Sequence, residues 1–493
     1  MNIPFVLAAL VAVPSLSAQD HDHGQRPEQL GRVTFPTSCA QSVQPRFERA
    51  MALLHSFWWE ESRAAFTEIA TAEPRCAMAW WGLALAWWDN PFAPGPAGAS
   101  LAQGAEAAQR AAAVRGVTGL ERGYVRAVAT LYRDHATTPN AARLRAYSDV
   151  LASLHQAFPH ETEAAIYYAL SLVATASPTD TTFTRQRQAH AILEPLFLAQ
   201  PDHPGLAHYV IHANDSPYLA QQGLRAARAY AGIAPSVPHA QHMPSHIFIR
   251  LGYWQENIEA NRRSYEAGAT YARAQGWQGL GAHEFHAMDY MVYGYLQLGE
   301  DSAARHWTNH ALSVTHVTPA GSLVAEYSRA AMPARMMLER DRWREAAALP
   351  ALAQGPAPAR MVNLFARGLG AARSGAVAAA QQAIAGLNTI QQALAASDPY
   401  WARVAGIKVE VVTAWVLLAQ GDTAGALAAA RSAADTEDVT EKHPVTPGEV
   451  LPARELYGDL LFATGRVAEA REAWQATLTR EPGRARSIAA LNR

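Results

Sequence analysis

With 493 residues, 49% of them apolar, the chain is long enough for several domains or one extended repeat array. Only 17% of residues are charged and the formal net charge is −2. No basic stripe is present, which excludes a nucleic-acid footprint and predicts no nucleic-acid partner.

Residues 1–18 read as a secretory signal peptide: an apolar run closed by Ser15-Leu16-Ser17-Ala18, without Lys or Arg at its start. A retained membrane anchor is the alternative, but the run is too short to span and Pro14 interrupts it. No later stretch approaches the ~20 apolar residues of a spanning helix, so no stable transmembrane span is expected. The protein is therefore expected to be exported, periplasmic or secreted. Asp20-His21-Asp22-His23 at the mature start reads as a solvated tail. Residues 19–44 carry Pro27 and Pro36 without helical period and read as an extended lead-in. Cys39 and Cys76 are the only cysteines. In an exported chain they make either a disulfide or two small buried thiols.

From residue 45 to 493 the pattern is helical, with no strand alternation. Phe66 and Pro74 are followed by Trp80, Leu83 and Trp87, in W-x2-L-x3-aromatic spacing. Gly252-Tyr253-Trp254 and Tyr295-Leu296-Gln297-Leu298-Gly299 mark turns between paired helices, and Ala304 and Ala311 take small-residue positions in the second helix. Gly458, Gly465, Ala470, Trp474 and Pro482 form the clearest copy, followed by Arg484-Ala485-Arg486 as a polar cap. These signatures resemble the tetratricopeptide repeat, whose period is 34 residues. The expected fold is all-α: a right-handed α-solenoid of tetratricopeptide-like helix pairs, with helix A of each pair on the concave side. More narrowly, Leu54-His55-Ser56-Phe57, Cys76-Ala77-Met78-Ala79-Trp80-Trp81-Gly82, His242-Met243-Pro244-Ser245-His246-Ile247-Phe248 and His443-Pro444-Val445-Thr446-Pro447-Gly448 resemble exported bacterial proteins of this repeat class. That resemblance brings no established chemistry. It implies a concave groove that binds a partner peptide or protein.

The middle repeats, about 205–298, are rich in histidine. Thirty-four residues separate His208 from His242 and His212 from His246, which is one repeat. His283 and His286 repeat the spacing of His239 and His242 after a ten-residue insertion, assigned to the loop around Gly276, Gly279 and Gly281. On a helix, positions i, i+3, i+4 and i+7 share a face. Successive A helices should therefore bring His208, His212, His242, His246 and His286 into one volume, with His239 and His283 at its edge. Pro244 lies between two of these histidines and predicts either a late helix start or a kink.

Imidazoles in this number suit a transition metal such as Zn, Cu or Fe. Asp215, Asp289 and Glu284 are the nearby oxygen candidates, as ligands or as partners that fix an imidazole tautomer. Met243, Met288 and Met291 suit Cu(I) or core filling. Tyr209 and Tyr290 are candidates to line a ligand pocket with Glu284, and Arg329, Arg335, Arg360 and Arg367 to hold a carboxylate or phosphate group. No phosphate loop, G-x-S-x-G or H-E-x-x-H is present. Two functions follow. One is a scaffold whose groove binds a peptide or protein. The other is a metalloprotein, enzymatic or not, that takes a small molecule at the histidine cluster.

Overall fold

The computed structural model describes residues 28–93 and 95–493, so the signal peptide and the Asp20–His23 tail lie outside the described residues. Antiparallel helix pairs follow one another along the chain, beginning with Gln44–His55 and Trp59–Ala72 and ending with Ala453–Ala463 and Val467–Arg480. Helix Ala485–Leu491 caps the array. The fold is a right-handed α-solenoid of tetratricopeptide-like pairs. The only strands among the described residues are Leu280–Gly281 and Val317–Thr318, a two-residue parallel bridge. Gly279 permits it, since a Cβ there would lie 2.0 Å from the His316 carbonyl oxygen. No helix among the described residues is long and apolar enough to cross a membrane.

The repeat signature is a packing rule. A Cβ on Gly458 would sit 2.6 Å from the Trp474 ring, and one on Gly82 would sit 2.3 Å from Phe66. Each glycine removes a side chain so that a helix B aromatic can fill the gap and lock neighbouring helices. Helix A elements are buried on nearly every side: Ala77–Trp88 and Pro204–Asn214 expose almost nothing. Outer helices such as Gly98–Ala113 bury only a stripe of small residues, Gly104, Ala107, Ala108 and Ala111.

Helix A burial is completed by the chain itself. Phe35 packs against Phe47, Trp81 and Tyr124, which belong to the first three repeats. Further along, Arg32 N–H donates to the Asp202 carbonyl (3.0 Å) and Gln29 N–H to Ser236 Oγ (2.9 Å). Residues 28–37 thus pack along the inner helices of the early repeats. A disulfide joins Cys39 to Cys76 and ties this segment to the second helix pair. At the other end, Trp254 Nε1–H donates to the Gly483 carbonyl (3.0 Å), and Arg250 pairs with Glu441 (3.0 Å). The last repeat thus returns to the middle ones.

The ten-residue insertion is mostly not loop. Helix Trp254–Ala274 has 21 residues where its counterpart Ala220–Ile233 has 14, so seven of the extra residues continue the helix. Tyr271, on that extension, donates from its hydroxyl to Glu61 (2.8 Å) and packs edge-on against Trp58.

Candidate metal centre

Three A-type elements carry the histidines inward. Pro204 starts the first of them, Pro204–Asn214, where its missing N–H costs nothing. The second is split by Pro244: Pro238–His242 ends at Met243, and Pro244–Leu251 begins with its own proline at the first position. The break is both a late start and a bend, and it keeps His242 and His246 on one side. The third is Ala282–Gln297, entered from Gly281.

Two groups of three imidazoles result. His208, His212 and His239 form one, and His242, His246 and His286 the other; within each, ligand-capable atoms all lie within 4.8 Å of one another. In the first, His208 Nε2 is 3.1 Å from His212 Nε2 and 3.2 Å from His239 Nε2. In the second, His242 Nε2 is 3.0 Å from His246 Nε2. The groups adjoin: ring centroids are 6.3 Å apart for His212 and His246 and 6.2 Å for His239 and His242. His239 is therefore a full member, not an edge residue; it lies in the short helix Pro238–His242, ahead of the break at Met243. His283 does stay at the edge, with its ring 5.8 Å from His239.

The hydrogen bonds on the far side of each ring fix where the protons are. His208 Nδ1 faces the His55 carbonyl at 2.6 Å, an acceptor only, so this nitrogen carries the hydrogen. His242 Nδ1 faces Asn261 Oδ1 at 2.6 Å. The amide orientation is set because Asn261 Nδ2 donates to the Asn257 carbonyl (2.8 Å). His246 Nδ1 donates to Asp215 Oδ2 at 2.8 Å. Burial alone would raise the Asp215 carboxyl, but Lys442, then Arg250 and His246, hold it well below the usual carboxylate range. In all three rings Nε2 is left as a bare lone pair turned toward other imidazoles. Burial also opposes protonation. It drives His208 down to about 3 and pushes His212, His239, His242 and His286 well below the ordinary imidazole value. The His286 Nδ1 atom is buried without a hydrogen-bond partner.

The surroundings separate the oxygen and arginine candidates. Asp215 is a partner of His246 and also binds Arg250 (2.9 Å) and Lys442 (3.4 Å), so it orients an imidazole from behind. Asp289 does neither job: its Oδ1 accepts from the fully buried Arg335 (3.1 Å). The one-turn spacing from His286 is right, but the Asp289 carboxylate is taken by Arg335. Glu284 also leaves the cluster and packs toward Gly268 and Gly281, where its carboxyl fills the space a Cβ would take. Arg329 lies over the Phe285 ring at 6.0 Å and is not in the site. Met243, Met288 and Met291 are core filling. Arg335 holds the chain rather than a ligand, donating to Thr446 Oγ1 and the Gly448 carbonyl, each at 2.8 Å. Tyr290 lies against His242, with 4.7 Å between ring centroids, and its hydroxyl faces the Pro444 and Thr446 carbonyls (3.2 Å each). The stretch 442–449 is thereby fastened over the second group. Tyr209 sits behind His208, with 5.1 Å between ring centroids.

Sequence reasoning missed three contributors. Phe57 packs on His208 (4.5 Å) and His239 (5.6 Å). Lys442 reaches Asp215, and burial brings its ammonium down to about 8. His55, Glu163 and His203 form a further buried cluster behind His208. His55 Nε2 meets Glu163 Oε2 at 2.9 Å, and His203 Nε2 meets Glu163 Oε1 at 3.0 Å. Of these, Leu54-His55-Ser56-Phe57 contains His55 and Phe57, and Lys442 directly precedes the segment from His443. Nothing in their spacing related them to residues some 150 or 200 positions away.

No protein-family model and no curated protein matches the chain. Similar solved structures are helical repeats. A human IFIT1 dimer with m7Gppp-AAAA has TM-score 0.39 and 12% identity over 77% of this chain and 86% of that one. The P58(IPK) TPR domain has TM-score 0.22 and 10% identity over 92% and 96%. Naa15/Naa10 bound to HypK-THB has TM-score 0.22 and 10% identity over 87% and 62%.

Proposed function

We propose that the buried imidazole layer is a transition-metal centre, one ion held by His208, His212 and His239 and a second by His242, His246 and His286. The His242–His246 pair carries this reading. Both rings have their hydrogen on Nδ1, both Nε2 lone pairs face each other at 3.0 Å, and burial keeps both rings neutral. Two lone pairs at that distance repel unless a cation lies between them. Nitrogens around a tetrahedral ion at 2.0–2.1 Å stand about 3.3 Å apart, close to the spacing found. Three protein ligands leave a coordination position for water or a small molecule, the pattern of catalytic rather than closed structural sites. Zn, Cu and Fe all suit such ligands. Asp215, Asn261 and the His55 carbonyl supply the outer partners that fix ring orientation.

A binding scaffold is the second reading, and the repeat fold supports it in that coarse sense. Its partner surface would lie away from the imidazole layer and from the wall covered by residues 28–37. Elemental analysis of protein purified without a histidine tag, after exhaustive dialysis, separates the two. About two ions per chain are expected of the metal centre. Metal-free protein from metal-replete medium supports the scaffold alone. We also place the mature protein in an oxidising compartment outside the cytosol, on the apolar run Met1–Ala18 and the Cys39–Cys76 bridge. A native N-terminus at or near Gln19 would support export; an intact Met1 would count against cleavage.

A further inference from the structure

The boundary between the two imidazole groups is no wider than the spaces inside them. Across it, His212 and His246 approach with ring centroids 6.3 Å apart, and His239 and His242 with 6.2 Å. Within the second group His246 and His286 are also 6.3 Å apart. Rings at this separation are in contact range, so the two donor sets adjoin along two separate pairs. Sites in which two ions clamp one ligand hold them ~3.5–4 Å apart, and adjoining donor sets are what such a spacing requires.

Charge points to the ligand. The six donors are all imidazoles, with no carboxylate among them. Asp215, the acid behind His246, is already matched by two cations, Arg250 at 2.9 Å and Lys442 at 3.4 Å. Two divalent ions on this frame would therefore bring positive charge into the interior without a protein anion to balance it, which is costly. Three protein ligands leave each ion a position for an outside group. Both groups are reachable from solvent: His208, His242 and His246 are buried, but His212 and His239 in the first group and His286 in the second are only half-buried.

We propose that the two groups form one binuclear centre whose ions share a single small anion, of the size of hydroxide or azide. This rests on the metal-centre reading, and the test separates the two. Tag-free full mature chain is stripped with chelator, loaded with two equivalents of Cu(II) and dialysed. Copper is the probe ion because nitrogen donors bind it most tightly among the divalent first-row metals. Electron paramagnetic resonance of the two-copper protein should integrate to fewer than two spins, through coupling between neighbouring ions. Sodium azide should bind one per chain. It should bind on the order of 100-fold more tightly than to His246→Ala carrying its one remaining copper, the gain from a second attachment on a rigid frame. That variant should give one ordinary isolated spin, and His212→Ala should do the same from the first group. If neither variant folds, the spin count and azide stoichiometry of the parent chain decide. Two isolated spins per chain, or two azides bound independently, overturn the shared centre and leave two separate metal sites. A single copper retained after dialysis overturns it too. No copper retained sinks the metal-centre reading and the shared centre together.

Discussion

Two clusters of buried histidine lie back to back across His55 and His208, and their protons are arranged in opposite ways. At His55, Glu163 and His203 every polar atom has a complement. Glu163 accepts from both Nε2–H groups, Tyr209 donates to His55 Nδ1 (3.2 Å), and Leu206 N–H donates to His203 Nδ1 (3.3 Å). Burial works against the Glu163 carboxylate, yet the two imidazoles hold it down to about 2. At His242 and His246 the same residue type meets nitrogen to nitrogen, with no proton available between the rings. Close approach of three ligand-capable side chains therefore does not by itself indicate a metal. The hydrogen-bond partner on the other side of each ring does, because it decides whether the inward nitrogen offers a proton or a lone pair.

The sharpest way to break this contrast is to remove one ring from each cluster. His246→Ala should lose the second ion while the first group keeps its own, with helicity unchanged by circular dichroism. His203→Ala should keep both ions. If elemental analysis gives equal metal content in the two variants, the distinction between the clusters is wrong.

Acid should separate folded from unfolded chains through the buried neutral rings. Burial takes His208 to about 3 and His443 to about 4, both below the 6.5 of an unfolded imidazole. Both groups are depressed on folding, so their contribution is fully present above pH 6.5. It is lost as pH falls through the window down to about 4 for His443 and about 3 for His208. At pH 5 each ring costs about 2 kcal/mol, at 1.4 kcal/mol per pH unit. Urea unfolding of chelator-treated protein should show a loss of about 4 kcal/mol between pH 7 and 5 from these two rings. A flat profile would mean they are solvated.

Asp215→Asn keeps the shape behind His246 but removes the carboxylate. Metal affinity of the second group should fall about 10- to 100-fold in competition with a chelator, the usual effect of losing an outer-shell partner. Unchanged affinity would show that Asp215 serves only Arg250 and Lys442. Glu163→Gln should lower stability by about 2 kcal/mol, since one of its two acceptor positions becomes a donor facing an N–H. Metal content should stay the same. Lost metal at unchanged stability would make His55, Glu163 and His203 a ligand set instead.

Much of the fold was legible because its rules are local. Gly458 and Trp474, or Gly82 and Phe66, meet within one or two helices, so sequence spacing reports the contact. The five histidines expected to converge, His208, His212, His242, His246 and His286, were readable for the same reason, through the repeat period, with an insertion ahead of His286, and one helix face. His239 was misplaced to the edge; it lies in the short helix ahead of the Met243–Pro244 break, which the periodicity alone does not locate. Asp289 failed because three-residue spacing places it one turn on without deciding which neighbour is stronger. A buried guanidinium, Arg335, was the stronger partner. What remained invisible was everything set by superhelical closure. Phe57 reaches His208 from 151 positions away and Lys442 reaches Asp215 from 227, distances no periodicity encodes. The packing of residues 28–37 along the inner helices belongs to the same class, since an extended segment carries no period.

If the two groups of three imidazoles each hold a cation, every metal ion in the protein is coordinated by histidine nitrogen. X-ray absorption at the metal edge, on tag-free protein and on His246→Ala, reads that coordination. Nitrogen scatterers are expected at about 2.0–2.1 Å with the outer-shell signature of imidazole, three such rings per ion, and a signal roughly halved in the variant. A spectrum dominated by oxygen or sulfur ligands, or one unchanged in amplitude by His246→Ala, would contradict it.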